Sequence, residues 1–233
     1  MDHANEDTSM PMKDSDSTSL REIDRWEGGA GWIAYPDEGM ERASHALVDG
    51  DDVWLVDPLD ADDLDEFLSD LGEVAGVLVL LDRHKRDAAT IANRHDVSVH
   101  RPSWMDSIDS EIDAPVATLG GMLDETGYEV RKRINLPVWK EAVLYRPDDG
   151  TLLVPESIGT ADIFCTSEER LGVHPVLRFT PPNELADLSV DRLLVGHGSG
   201  IQEDAMATIR EAISESRSGA LPLYQKMISE RMG

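Results

Sequence analysis

Five consecutive apolar residues, Val77-Leu78-Val79-Leu80-Leu81, run straight into six polar ones, Asp82-Arg83-His84-Lys85-Arg86-Asp87. An apolar run this short, with a glycine before it and a charged stretch after it, suits a strand buried on both faces. Strands of that kind occur in sheets that helices cover. The neighbouring sequence agrees. Behind Asp60 or Asp62 as N-cap, Leu64, Phe67, Leu68 and Leu71 recur at helical spacing. Gly76 ends that helix, and a second helix over 88–94 precedes a strand over 97–100. The series is β-α-β-loop-α-β, for which a parallel or mixed sheet is expected.

Upstream, residues 32–35, 45–48 and 53–56 are β-prone, the last two joined by the hairpin signal Asp49-Gly50-Asp51-Asp52. The second half predicts a meander of strands over 128–134, 142–145 and 151–154. A short helix over 184–188 follows, then a strand over 192–195 and helices over 203–215 and 221–231. Two sheets packed face to face with helices outside are the expected result. Polar residues just beyond the carboxyl ends of buried strands lie at the sheet rim, where such folds place their sites. Three places qualify: Asp82 to Asp87, Pro155-Glu156-Ser157 and Gly196-His197-Gly198.

Four passages resemble the metallo-β-lactamase superfamily, in order and spacing: His45 to Pro58, Leu80 to Asp87, Gly150 to Glu156, and Leu193 to Gly198. The resemblance covers roughly residues 28–216. It implies an α/β fold, the four-layer αβ/βα sandwich of two mixed β-sheets. It also implies a loop of the form His-x-His-x-Asp-His, a further histidine, a bridging aspartate and a last histidine, holding one or two divalent metals. Carried over, the loop's first histidine falls on Asp82, the second on His84, the aspartate on Arg86 and the last histidine on Asp87. The further histidine falls in Pro137-Val138-Trp139-Lys140, which has none. The bridging acid falls on Glu156 and the final histidine on His197.

Two readings follow. In the first the chain is a hydrolase of an ester, thioester, lactone or phosphoester, with His84, Asp87, Glu156 and His197 as ligands of one zinc, manganese or iron ion. Asp82 and Asp87 are then the catalytic acids. In the second no metal binds: Arg86, a permanent cation, stands in for its charge, and the pocket takes a small molecule or a protein partner. The plainer roles are a helix cap or surface ion pair for His84, a tight turn for His197 and a solvent-facing side chain for Glu156.

Composition narrows the partners. With 47 Asp+Glu against 21 Lys+Arg the formal charge is −26, which argues against nucleic acid and anionic membranes. Such a charge is screened at molar salt, so a cytoplasmic protein of a salt-filled cell is expected. Residues 1–20 read as a disordered acidic leader before one domain over 21–233. The last helix is a candidate homodimer element, and the single cysteine, Cys165, excludes an internal disulfide. Against this acidic background, Arg83-His84-Lys85-Arg86 reverses the sign of charge at the rim.

Overall fold

The computed structural model describes residues 11–14, 19–123 and 126–232. Its layering follows from two strands. β10 (Thr151–Val154) and β13 (Arg192–Val195) lie side by side and parallel, Leu152 beside Leu193 and Leu153 beside Leu194. Successive side chains of a strand leave by opposite faces. Leu153 and Leu194 enter the core shared with the first sheet. Leu152, Val154, Leu193 and Val195 enter a second core with Ile209 and Ala212 of helix α3 (Ala205–Glu215). A strand apolar on both faces therefore needs a sheet on one side and a helix on the other.

The second sheet is completed by β9 (Trp139–Arg146) and β8 (Glu129–Leu136), in the order β13-β10-β9-β8, with β8, β9 and β10 antiparallel. The first sheet holds seven strands in chain order: β1 (Arg21–Trp26), β2 (Gly29–Ile33), β3 (Ala43–Asp49), β4 (Asp52–Val56), β5 (Glu73–Leu78), β6 (Val99–Pro102) and β7 (Val116–Leu119). It is antiparallel from β1 to β4 and parallel from β4 to β7. Helices α1 (Leu64–Ser69) and α2 (Ala88–Arg94) pack on β5, and buried Leu64, Leu68, Ile91 and Ala92 join the first core. A short pair, β11 (Ile158–Gly159) and β12 (Gly172–Val173), and a C-terminal helix, α4 (Ala220–Met232), complete the chain. The architecture is the expected sandwich of two mixed sheets.

Two expectations are corrected. The strand expected over 77–81 begins at Glu73, so Gly76 lies inside it: a Cβ there would sit 2.5 Å from the Trp54 ring, and glycine is needed for that close approach. Residues 79–81 leave the strand as a buried extended segment in which Val79 N donates to His100 O (2.9 Å). The helix expected over 184–188 is a 3-10 turn, Asn183–Asp187. The leader expected over 1–20 lies partly outside the described residues. Its segment 11–14 hydrogen-bonds to the 38–42 turn, Gly39 N to Pro11 O (2.8 Å) and Arg42 Nη2 to Asp14 O (2.9 Å). Among the described residues no helix is long and apolar enough to cross a membrane.

Candidate metal centre

The carboxyl ends of β4, β5, β10 and β13 converge at one end of the sandwich. Beyond β13, the turn 196–198 packs tightly. A Cβ on Gly196 would lie 2.2 Å from Pro155 O, and Gly198 has φ 89° with Thr160 Oγ1 2.2 Å from where its Cβ would be. Only glycine fits these positions, and between them His197 is buried. Its Nδ1 lies 2.9 Å from Met40 O. A carbonyl only accepts, so the ring proton is on Nδ1 and Nε2 is a lone pair. That Nε2 is buried and has no hydrogen-bond partner among the described residues.

His84, on the loop after β5, is also buried and does not cap α2, where Asp87 holds the N-cap position. Its Nδ1 faces Asp57 Oδ2 at 3.1 Å. The other Asp57 oxygen accepts from Leu80 N at 2.8 Å. This leaves His84 Nε2 free to face Glu156 Oε2 at 3.6 Å. One ligand atom each from His84, Glu156 and His197 lies within 4.8 Å of the others. Glu156 is not solvent-facing: its side chain is 12% exposed and its Oε2 pairs with Arg83 Nη2 at 3.0 Å. Beneath it, buried Glu141 accepts from Glu156 N and Ser157 N, both at 2.8 Å, and from Ser157 Oγ.

Backbone strain gathers here. Of the five non-glycine residues with positive φ among the described residues, three border the cluster: Glu41 (43°), Asp57 (45°) and Arg86 (41°). Such conformations persist where surrounding contacts over-determine them, and they concentrate at functional sites.

The charge states follow from burial. Desolvation lowers His84 well below its ordinary value, with Arg86 adding to the effect. It lowers His197 to about 3. Both rings are neutral at neutral pH, as ligands must be. Burial raises Asp57 to about 7 against the pull of the Arg86 guanidinium. For Glu156, burial opposes ionisation, but the hydrogen bond from His174 and the surrounding charges, Arg83 among them, outweigh it and hold the carboxyl well below the usual range.

Arg86 is built into the framework rather than offered to solvent. Its Nη1 donates to Ala43 O (2.5 Å) and Asp57 O (2.7 Å), its Nη2 to Gly196 O (3.2 Å), and Nη2 lies 3.5 Å from His84 Nε2. Burial brings its pKa to about 10, so it stays a cation at neutral pH.

Of the sequence-derived site residues, the structure brings together His84, Glu156, His197 and Arg86. Asp87 is placed elsewhere: its Oδ2 accepts from Asp60 N (2.9 Å), and it lines a surface cleft with Tyr35, Asp60 and Arg94. Asp82 is not in the triad; its Oδ1 is buried without a hydrogen-bond partner among the described residues, and its carbonyl accepts from Lys85 Nζ (2.8 Å). Lys140 points its amine at Ser107 Oγ (3.1 Å). Sequence reasoning passed over His174, whose Nε2 lies 3.5 Å from Glu156 Oε1, and Glu141. No spacing signal marks either one. Asp57 lies within the passage His45 to Pro58, just after the β-prone run 53–56, and its role as partner of His84 depends on the fold.

With this geometry in hand the chain can be placed among known structures. It is similar to the DIM-1 metallo-β-lactamase at 15% identity and TM-score 0.62, over 88% of this chain and all of that one. It is similar to FIM-1 from Pseudomonas aeruginosa, solved in a mono-zinc form, at 10% identity and TM-score 0.56, over 90% of this chain and 99% of that one. The fold is that of the metallo-β-lactamases. It is also similar to a flavodiiron protein from Giardia intestinalis at 10% identity and TM-score 0.57, over 87% of this chain and 60% of that one. No family profile and no curated protein matches the sequence.

Two imidazoles with their tautomers fixed by Asp57 and Met40, an orphaned Nε2 and an ionised carboxylate fit one divalent ion. A second ion does not fit: a guanidinium occupies the place where it would need an anionic ligand.

Proposed function

We propose that the chain is a metal-dependent hydrolase with a mononuclear site, acting on an ester, thioester, lactone or phosphoester. The observation that carries this reading is the buried Nε2 of His197, which has no hydrogen-bond partner among the described residues while Nδ1 is taken by Met40 O, beside His84 and Glu156. His84, Glu156 and His197 hold the ion, which supplies Lewis acidity toward a carbonyl or phosphoryl oxygen. Asp57, in its ionised form, keeps the His84 ring turned and its proton on Nδ1. Arg86 supplies the charge that a second ion supplies in a dinuclear centre, and Arg83 presents a cation at the rim toward an anionic group of a substrate.

Zinc titration of chelator-treated protein followed by calorimetry tests this. One equivalent is expected, and His197→Ala weakens it by roughly 100-fold or more, the upper end of what loss of a supporting group costs. Uptake below about a tenth of an equivalent, or unchanged binding by His197→Ala, overturns the assignment. One observation favours the metal-free alternative, in which the pocket binds a small molecule or protein partner: Arg86 Nη2 stands 3.5 Å from His84 Nε2. Under that reading zinc binds neither chain, and substrate-like anions bind in an Arg86-dependent way.

A further inference from the structure

Three histidines surround Glu156, and their second nitrogens are used in two different ways. His84 and His197 each direct Nδ1 at an oxygen, Asp57 Oδ2 and Met40 O, and so present Nε2 as a lone pair. His174 does the reverse. It caps the 3-10 turn Pro175–Leu177, and its Nδ1 accepts from Val176 N at 3.2 Å. A nitrogen that accepts carries no proton, so in the neutral ring the proton sits on Nε2. That atom faces Glu156 Oε1 at 3.5 Å.

We propose that His174 is a positioning residue: an Nε2–H tautomer that holds Glu156 Oε1 and leaves Oε2, which also pairs with Arg83 Nη2 at the rim, as the carboxylate oxygen turned to His84 and the centre. This deepens the mononuclear reading above and rests on it for its functional meaning. The ring has little freedom to do otherwise. It meets Trp139 edge-on at 4.8 Å and 75°, and Phe164 at 5.5 Å and 72°. Phe164 in turn lies 5.3 Å from the His197 ring, so one aromatic residue separates the two rings of opposite tautomer. A carboxylate gripped at one oxygen coordinates through the other alone, and groups that orient ligands in this way set metal affinity.

Two variants separate hydrogen bonding from packing. His174→Phe keeps an aromatic ring against Trp139 and Phe164 and removes the donor, whereas His174→Gln removes the ring and keeps an N–H2 near the Nε2 position. With cobalt(II) as the probe, His174→Phe is expected to bind roughly tenfold or more weakly, within the range for lost ligand-orienting groups, and to show a weaker visible absorption as Glu156 becomes bidentate. His174→Gln is expected to restore both. Phe behaving as wild type, or Gln as poorly as Phe, overturns the proposal. Long-range 1H–15N spectra of the metal-free protein read the His174 tautomer directly. A protonated Nδ1 overturns the proposal whatever the metal result, and wild-type protein that takes up no cobalt overturns the mononuclear reading while the spectrum still decides the tautomer.

Discussion

Burial lowers both His197, to about 3, and His84, well below its ordinary 6.5. Below pH 6.5 the unfolded chain therefore takes up two protons that the folded chain refuses, and stability falls as pH drops. Asp57 acts in the opposite sense. Its carboxyl is raised from 3.8 to about 7, so between those values the folded chain keeps a proton that the unfolded chain releases, and this group adds stability as pH falls. Two against one leaves a net uptake of one proton on unfolding between pH 6 and 5. From these three groups the metal-free protein loses on the order of 1 kcal/mol over that unit. Urea midpoints at the two pH values measure it, and His197→Gln is expected to bring the slope from these groups close to zero. A wild-type midpoint that rises on acidification would contradict the buried, neutral state of the two rings.

At the scale of elements, Arg86 is the tie between the sheets. Its donors reach the start of β3, the end of β4 and the turn after β13, so one side chain spans both layers where their strand ends meet. Arg86→Met leaves three carbonyls without that partner, and a loss of about 3 kcal/mol in unfolding free energy is expected, read from denaturant midpoints. An unchanged midpoint would show that the strand ends are held by other contacts. The elements legible in the sequence are those whose apolar pattern is complete within themselves: α2, β10 and β13 appear where the spacing places them. β1, Arg21–Trp26, escapes because its burial is sparse, with Asp24 turned inward to accept from Gly200 N. The site shows the same division. His84, Glu156 and His197 sit at predictable rim positions. Asp87 was misplaced by one loop's direction, and His174 acts through a partner 18 residues away, a proximity created by the β11–β12 pair beside it.

For the whole molecule, the decisive quantity is the −26 charge on a chain with 21 cationic side chains. Raising salt from 0.1 to 1 M shortens the Debye length from about 10 to about 3 Å, which screens repulsion among exposed acids far more than it weakens buried contacts. The thermal midpoint is therefore expected to rise across that range of potassium chloride. A flat or falling profile would mean that surface pairs such as Arg25–Glu22 and Arg94–Asp65 already offset the repulsion. The buried partners at the centre, Asp57 with His84 and Glu141 with Ser157, should be insensitive to the same change, so zinc affinity is expected to move little with salt while stability moves strongly.

Arg86 has one more consequence, for supply rather than for structure. An ion that neutralises an acidic pocket obeys mass action, and dilution or a chelator removes it. A guanidinium hydrogen-bonded to three carbonyls is a counter-ion tethered to the chain, present at one copy per molecule from the moment of synthesis. This end of the sandwich thus keeps that cation while any ligand comes and goes, whatever the supply of metal.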